Sequence, residues 1–313
     1  MFDIACIGIL VADVLVKPVE ALPQKGLLEL VDSIELFSGG NAMTAAINLK
    51  KLGLEPAVIG KVGRDPFGAF LTRLLDENGI NPAGVAVDER VQTSASVALS
   101  NADGERTFLH CVGANGRFCI DDVDWGIIEK SRFVFVTGTY LLGDFDGQQT
   151  AEFLKKCKQM GKLTALDVCW DSKSRWETLL TDCYPYIDIF MPSIDEAVEL
   201  SRLSDPGEIA GYFMARGVAG VVIKLGGKGC YLKENRDAPG VLVAPYKVEN
   251  VLDTTGAGDS FCSGFLAGLA LGKPLYECAR LGNAVGALCV SAKGATSGTK
   301  NMADTLAFME ECK

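Results

Sequence analysis

Short β-type runs alternate with amphipathic helical stretches along most of the chain, the pattern of a largely parallel sheet covered by helices. Residues 4–9, 57–61, 133–137, 163–168, 187–191 and 221–225 read as the sheet strands. Between the second and third of these, Asp65-Pro66 places a capping residue before a proline at the first helical position. Phe67, Phe70, Leu71, Leu74 and Leu75 then recur at helical spacing, and Gly79 closes the helix.

Two segments break this rhythm. Residues 10–36 contain Val14-Leu15-Val16 and Leu28-Glu29-Leu30-Val31, joined through Pro18, Pro23 and Gly26. Residues 91–112 contain runs at 94–99 and 106–111 around Asn101-Ala102-Asp103-Gly104, whose Asp-Gly pair is a hairpin signal. Together they are expected to form a small antiparallel sheet beside the main one.

Composition narrows the class. The chain has 313 residues, 48% hydrophobic and 22% charged, which suits one packed α/β domain over 1–313 with a small appendage. A net charge of −10 argues against a broad basic face for nucleic acid. Any phosphate site must then rest on local positive potential from a helix N-terminus, a lysine or a metal ion. The apolar runs fall far short of the roughly 20 residues of a membrane helix. The start, Met1-Phe2-Asp3-Ile4-Ala5-Cys6-Ile7-Gly8, reads as a buried strand rather than a signal peptide. Eleven cysteines, an odd number without a Cys-x-x-Cys pair, argue for free thiols in a reduced cytoplasm. The single histidine, His110, excludes a multi-histidine zinc site, and no Gly-x-Ser-x-Gly elbow supports a hydrolase triad. His110 itself reads as a partly buried strand residue.

Three glycine-bearing segments carry candidate chemistry. In Asp253-Thr254-Thr255-Gly256-Ala257-Gly258-Asp259-Ser260-Phe261 a loop runs into a helix whose apolar face is Phe261, Phe265, Leu266 and Leu269. Gly256, Ala257 and Gly258 can aim backbone N–H groups at one point, and the helix dipole adds about half a positive charge there. Asp259 then stands where a carboxylate could take a proton from an attacking hydroxyl during phosphoryl transfer. The local alternative is a glycine turn with Asp259 as a helix cap. In Ser38-Gly39-Gly40-Asn41-Ala42 paired glycines lead into a small-residue helix, and Asn41 could bond hydroxyls; tight helix packing is the competing reading. Ile223-Lys224-Leu225-Gly226-Gly227-Lys228-Gly229 follows a strand but is no Walker A sequence; it reads equally as a nucleotide loop or as a hairpin turn into Cys230-Tyr231-Leu232.

Taken together these residues resemble the ribokinase-like family, the PfkB carbohydrate kinases. Asp253 to Asp259 with Ser260-Phe261 matches its C-terminal signature, and Gly39-Gly40 through Leu52-Gly53 its N-terminal one. Gly8 with Asp13, Gly60 to Asp65 with Gly68, Gly113-Ala114-Asn115, Pro192 with Glu196-Ala197, and Leu225-Gly226 with Gly229 follow in order. The resemblance implies a three-layer αβα sandwich with a mostly parallel central sheet and a small β-sheet lid, formed by about 10–36 and 91–112. It implies phosphorylation of a primary alcohol of a sugar by ATP with Mg²⁺, and a homodimer paired through the lids. By position, Asp259 would be the base and Gly256, Ala257 and Gly258 the anion hole. Asp13, Gly39, Gly40 and Asn41 would hold substrate hydroxyls. Ser193, Lys224, Gly226, Gly227, Gly229 and Asn283 would flank the nucleotide, and Glu196 would organise Mg²⁺ through water. Asp253 and the carbonyls of Thr255, Cys289, Ala292 and Gly294 match the surroundings of a monovalent cation, usually potassium.

Three positions depart from the pattern. Thr44 stands where the first signature carries asparagine, and Val11 where ribose kinases are often polar. Ser193-Ile194-Asp195-Glu196 replaces Asn-x-x-Glu. The first two put ribose itself in question. A nucleoside kinase with Phe108 and Tyr140 as base-binding walls and a non-catalytic sugar-binding sensor are the alternative readings.

Overall fold

Both faces of the first strand are buried. In β1 (Phe2–Gly8), Ile4 and Cys6 enter one apolar core while Ala5 and Ile7 enter a second on the opposite side. A strand sandwiched in this way has no polar alternation, which is why the run is apolar at consecutive positions. The further strands are β2 (Val11–Lys17), β3 (Ser33–Gly39), β4 (Pro56–Gly63), β5 (Val85–Asp88), β6 (Ala95–Ser100), β7 (Arg106–Cys111), β8 (Ser131–Thr139), β9 (Leu163–Val168), β10 (Ile189–Phe190), β11 (Gly220–Lys224), β12 (Cys230–Lys233) and β13 (Val241–Val243). The helices are α1 (Asn41–Lys51), α2 (Pro66–Glu77), α3 (Trp125–Glu129), α4 (Gln148–Gln159), α5 (Glu177–Leu180), α6 (Ile194–Ser201), α7 (Pro206–Ala215), α8 (Ala257–Ala270), α9 (Leu275–Val290) and α10 (Met302–Glu311). This computed structural model describes residues 1–101 and 106–312.

The large sheet has nine strands in the order β13-β12-β11-β10-β9-β8-β1-β4-β5. From β11 to β5 all neighbours are parallel, and β12 and β13 extend the edge as antiparallel strands. Helices α1, α2, α8, α9 and α10 supply the first core, and α3 to α7 the second. The expected three-layer α/β architecture is therefore present. The run at 187–191 contributes only Ile189 and Phe190 to the ladder. Pro192 has no N–H to continue it, and Ser193 already caps α6. The cap at α2 is as expected: Asp65 accepts from the Gly68 amide at 2.8 Å, and also from the Thr93 amide, which ties the helix to the entry of the small sheet.

The small sheet has four strands in the order β3-β2-β6-β7. Its second strand is not at Leu28-Glu29-Leu30-Val31 but at Ser33–Gly39, with Lys17 opposite Ser33. The misplaced leucines lie in a loop over 18–32, where Leu28 and Leu30 are 80% and 85% exposed. The sheet is also not wholly antiparallel, since β2 and β6 run parallel. Of the expected Asn101-Ala102-Asp103-Gly104 turn, residues 102–105 lie outside the described residues; the flanking Ser100 and Arg106 pair as antiparallel neighbours.

Candidate active site

From β1 the chain moves outward to β4 and β5, then returns to β8 on the other side of β1. Open α/β sheets bind ligands beyond the carboxyl ends of their strands at such a switch point. A cleft of about 1060 Å³ opens on this molecule, lined by Asn41 at the start of α1, Ser193 to Glu196 at the start of α6, and Gly256 to Asp259 at the start of α8. Asp167 near the end of β9 and Lys224 at the end of β11 complete its floor, joined by an ion pair at 2.7 and 2.8 Å. Three helix N-termini and two lysines, Lys224 and Lys247, therefore bring local positive potential to a cleft that also holds Asp167, Asp195, Glu196 and Asp259.

Asp259 lies in the first turn of α8, half-buried in the cleft wall. Its Oδ1 accepts from Asn41 Nδ2 at 2.7 Å, and the Cys169 thiol donates to Asn41 Oδ1 at 3.2 Å. That thiol fixes which end of the Asn41 amide faces Asp259. No described group donates to Asp259 Oδ2. Burial pushes the Asp259 carboxyl up to about 6, with Lys224 and Asn41 pulling the other way. Burial disfavours the charge on Lys224, but Asp167, Cys262 and Glu196 outweigh it, and the net shift is upward. Burial likewise raises Asp167 and Glu196, opposed in each case by Lys224.

The loop before α8 owes its shape to Gly256, which sits at φ 75 with Ala295 where a side chain would begin. Such a conformation strongly favours glycine. Ala257 donates its N–H to the Thr254 carbonyl at 3.2 Å, whereas the amides of Gly258 and Asp259 have no acceptor among the described residues. Gly258 also lets Lys224 approach: a β-carbon there would lie 3.4 Å from Nζ.

Of the remaining expected residues, Lys224, Gly226, Gly227, Gly229 and Asn283 line the same cleft. The glycine segment is a hairpin turn that also lies at the cleft. It forms the β11–β12 hairpin turn, closed by Leu225 N–H donating to Gly229 at 2.8 Å, and it borders the cleft. Asn283 donates to the Val243 and Ala244 carbonyls, bracing the wall at the end of β13. Ser193 and Glu196 form a capping box, so serine here supplies the N-cap oxygen that an asparagine would. Asp13, Gly39 and Gly40 fall outside the cleft lining. Gly39 nevertheless packs on Asp13, since a β-carbon would lie 1.9 Å from Oδ2, which places that carboxylate two residues from Asn41. Gly40 caps α1 at φ 84.

Behind Gly256, Asp253 Oδ1 accepts from the Thr255 amide at 2.9 Å and Oδ2 from the Gly294 amide at 2.8 Å. This buried carboxylate joins the loop of Thr255 to the loop of Ala292 and Gly294, just past Cys289 at the end of α9. Phe108 and Tyr140 line no part of the cleft. Phe108 is on β7, and Tyr140 is buried with its hydroxyl donating to the Trp176 carbonyl.

Sequence reasoning missed Asp167, Cys169, Trp170 and the 245–248 wall. Only Asp167 carried a signal, an acidic residue at the carboxyl end of an apolar strand.

This site closes the class: an α/β fold with a phosphate-suited cleft beyond the carboxyl ends of β9, β10 and β11. The model of the pfkB family of carbohydrate kinases matches residues 1–302. Fructokinase-1 of Oryza sativa subsp. japonica is 28% identical over 289 residues, 87% of this chain and 88% of that one. The structure of Arabidopsis thaliana ribokinase complexed with ribose and ATP is similar at a TM-score of 0.85 and 24% identity, over 99% of each chain. An Escherichia coli structure with ATP and Mg²⁺ bound is similar at 0.85 and 21% identity, over 99% of this chain and 100% of that one. The chain belongs to the pfkB family: it is an ATP-dependent carbohydrate kinase that phosphorylates a sugar.

Proposed function

We propose that the protein transfers the γ-phosphoryl group of ATP to the primary hydroxyl of a sugar or related polyol, with Asp259 as general base. The observation that carries this reading is the half-buried Asp259 carboxylate lining the cleft, held through Oδ1 by Asn41 and with Oδ2 free, at the N-terminus of α8. The alcohol proton passes to Oδ2 as the alcohol oxygen attacks the γ-phosphorus in line and ADP departs. Charge on the transferring group is met by the amides of Gly258 and Asp259, with Lys224 beside them. Ala257 contributes less than expected to this anion hole, because its N–H already faces Thr254.

The residues fit Mg²⁺. Glu196 Oε2 accepts from the Ser193 amide at 2.7 Å and Oε1 has no described donor, beside the second carboxylate of Asp167. Among the described residues no group of three or more His, Cys, Asp or Glu could hold a metal alone. When bound, the ion supplies neutralisation of phosphate charge. The carbonyls of Thr255, Cys289, Ala292 and Gly294 near Asp253 would hold a potassium ion, which such oxygens could coordinate in place of water. A homodimer through the lids belongs to the same proposal. Its support is the outer row Val14, Leu36, Val97 and Leu109, with Leu109 61% exposed.

The test is ADP release over a panel of D-fructose, D-ribose, 2-keto-3-deoxygluconate, sugar phosphates, polyols and nucleosides. Sugar-dependent release supports the reading. Release with nucleosides alone, or tight sugar binding without release, overturns it. Gly39→Ala gives a sharper prediction. The added methyl displaces the Asp13 carboxylate, so KM for the sugar rises about tenfold, the worth of one charged hydrogen bond, while KM for ATP is unchanged. Steady-state kinetics with each substrate varied in turn checks this.

A further inference from the structure

The face of the lid that bears Asp13 also bears an ordered polar row. Asp13 on β2 is in register with Ser96 on β6, and Ser96 with His110 on β7. The adjacent row on the same face, Leu15, Ala98 and Phe108, is apolar. The three polar side chains stand side by side across the sheet. Ser96 lies next to Asp13 and favours its ionised form, and the Ser96 oxygen lies 3.0 Å from His110 Nδ1. A hydroxyl has one hydrogen and an ionised carboxylate only accepts, so toward Asp13 the Ser96 hydroxyl can act only as donor. The ring nitrogen must then donate to Ser96, which selects the Nδ1–H tautomer of the only histidine in the chain.

This order has a consequence for a carboxylate that receives sugar hydroxyls. With one donor fixed by Ser96, the remaining lone pairs of Asp13 point in set directions. Without the ring behind it, the Ser96 hydroxyl turns freely and its proton leaves Asp13 for part of the time. Asp13 is also held up to about 6 by burial, with Ser96 opposing, so the same bond favours the ionised form that accepts hydroxyls.

We propose that Ser96 and His110 are positioning residues for sugar binding, with His110 orienting the Ser96 hydroxyl so that Asp13 is a pre-arranged acceptor for the sugar's hydroxyl groups. This rests on the reading of Asp13 as a sugar contact. It assigns a function to a lid-edge residue remote from the reacting phosphoryl group, and it predicts an effect on sugar affinity rather than turnover.

The experiment is steady-state kinetics with D-fructose, or with D-ribose where that is the better substrate, on Ser96→Ala, His110→Ala, His110→Asn and Asp13→Asn. Ser96→Ala and His110→Ala raise KM for the sugar about tenfold, the effect of one charged hydrogen bond, with kcat and KM for ATP within about twofold. His110→Asn, whose amide nitrogen takes the place of Nδ1, returns KM to within about twofold of the parent. The His110 variants alter an exposed side chain on an edge strand, so the fold is not at risk. Unchanged KM in Ser96→Ala, or His110→Asn as impaired as His110→Ala, overturns the proposal. Asp13→Asn separates the two levels. If it leaves KM unchanged, the sugar-contact reading itself fails; if it alone raises KM, only the relay fails.

Discussion

Asp259→Asn lowers kcat by about a thousandfold while leaving KM for both substrates close to that of the parent, within the range of a lost general base. The substituted amide still offers an oxygen to Asn41, so the start of α8 keeps its geometry. What disappears is the ability to take the alcohol proton. The parent enzyme shows the same dependence through pH. Burial sets the Asp259 carboxyl at about 6, and only its ionised form accepts a proton. The rate therefore reaches its plateau about one pH unit above that value and falls tenfold for each unit well below it. The residual rate of the variant has no such limb. A pH series of coupled ADP-release assays measures both, and a variant that turns over near the parental rate with intact fold removes Asp259 from the mechanism.

Lys224→Met destabilises the protein by about 3–5 kcal/mol, because it leaves Asp167 buried without its partner. The Asp167 side chain is 2% exposed and cannot recover the interaction from water. Replacing both partners, as Lys224→Met with Asp167→Leu, recovers most of the loss, since an apolar pair of similar volume needs no desolvated charge. Urea unfolding of the three proteins at one pH reads this as shifts of the midpoint at constant slope. A single variant within 1 kcal/mol of the parent would show that the Val168 amide and the Cys262 thiol suffice for Asp167, or that it is neutral in the fold. The variant also loses turnover, because the same ammonium borders Gly258.

The elements that depend on near neighbours were legible in the chain. Asp65-Pro66 announces its helix because capping and a fixed φ act within one turn. Asp259 announces itself because Gly256, the helix start and the carboxylate lie within four residues. The strand misassigned at Leu28 to Val31 shows the limit. Its leucines have the composition of a strand but are exposed, and only the pairing of Lys17 with Ser33 reveals that the chain there is a loop.

The site depends on meetings that no local rule encodes. Lys224 finds Asp167 across 57 positions, and Cys169 finds Asn41 across 128. The sequence by itself determined the α/β class, the glycine loop and the carboxylate at its end, because hydrophobic period and backbone freedom are properties of neighbouring residues. Only the tertiary structure decided which charges share the cleft, which oxygen of Asp259 is free, and that His110 stands behind Asp13. Those follow from strand order and register, which bring distant residues within hydrogen-bonding range.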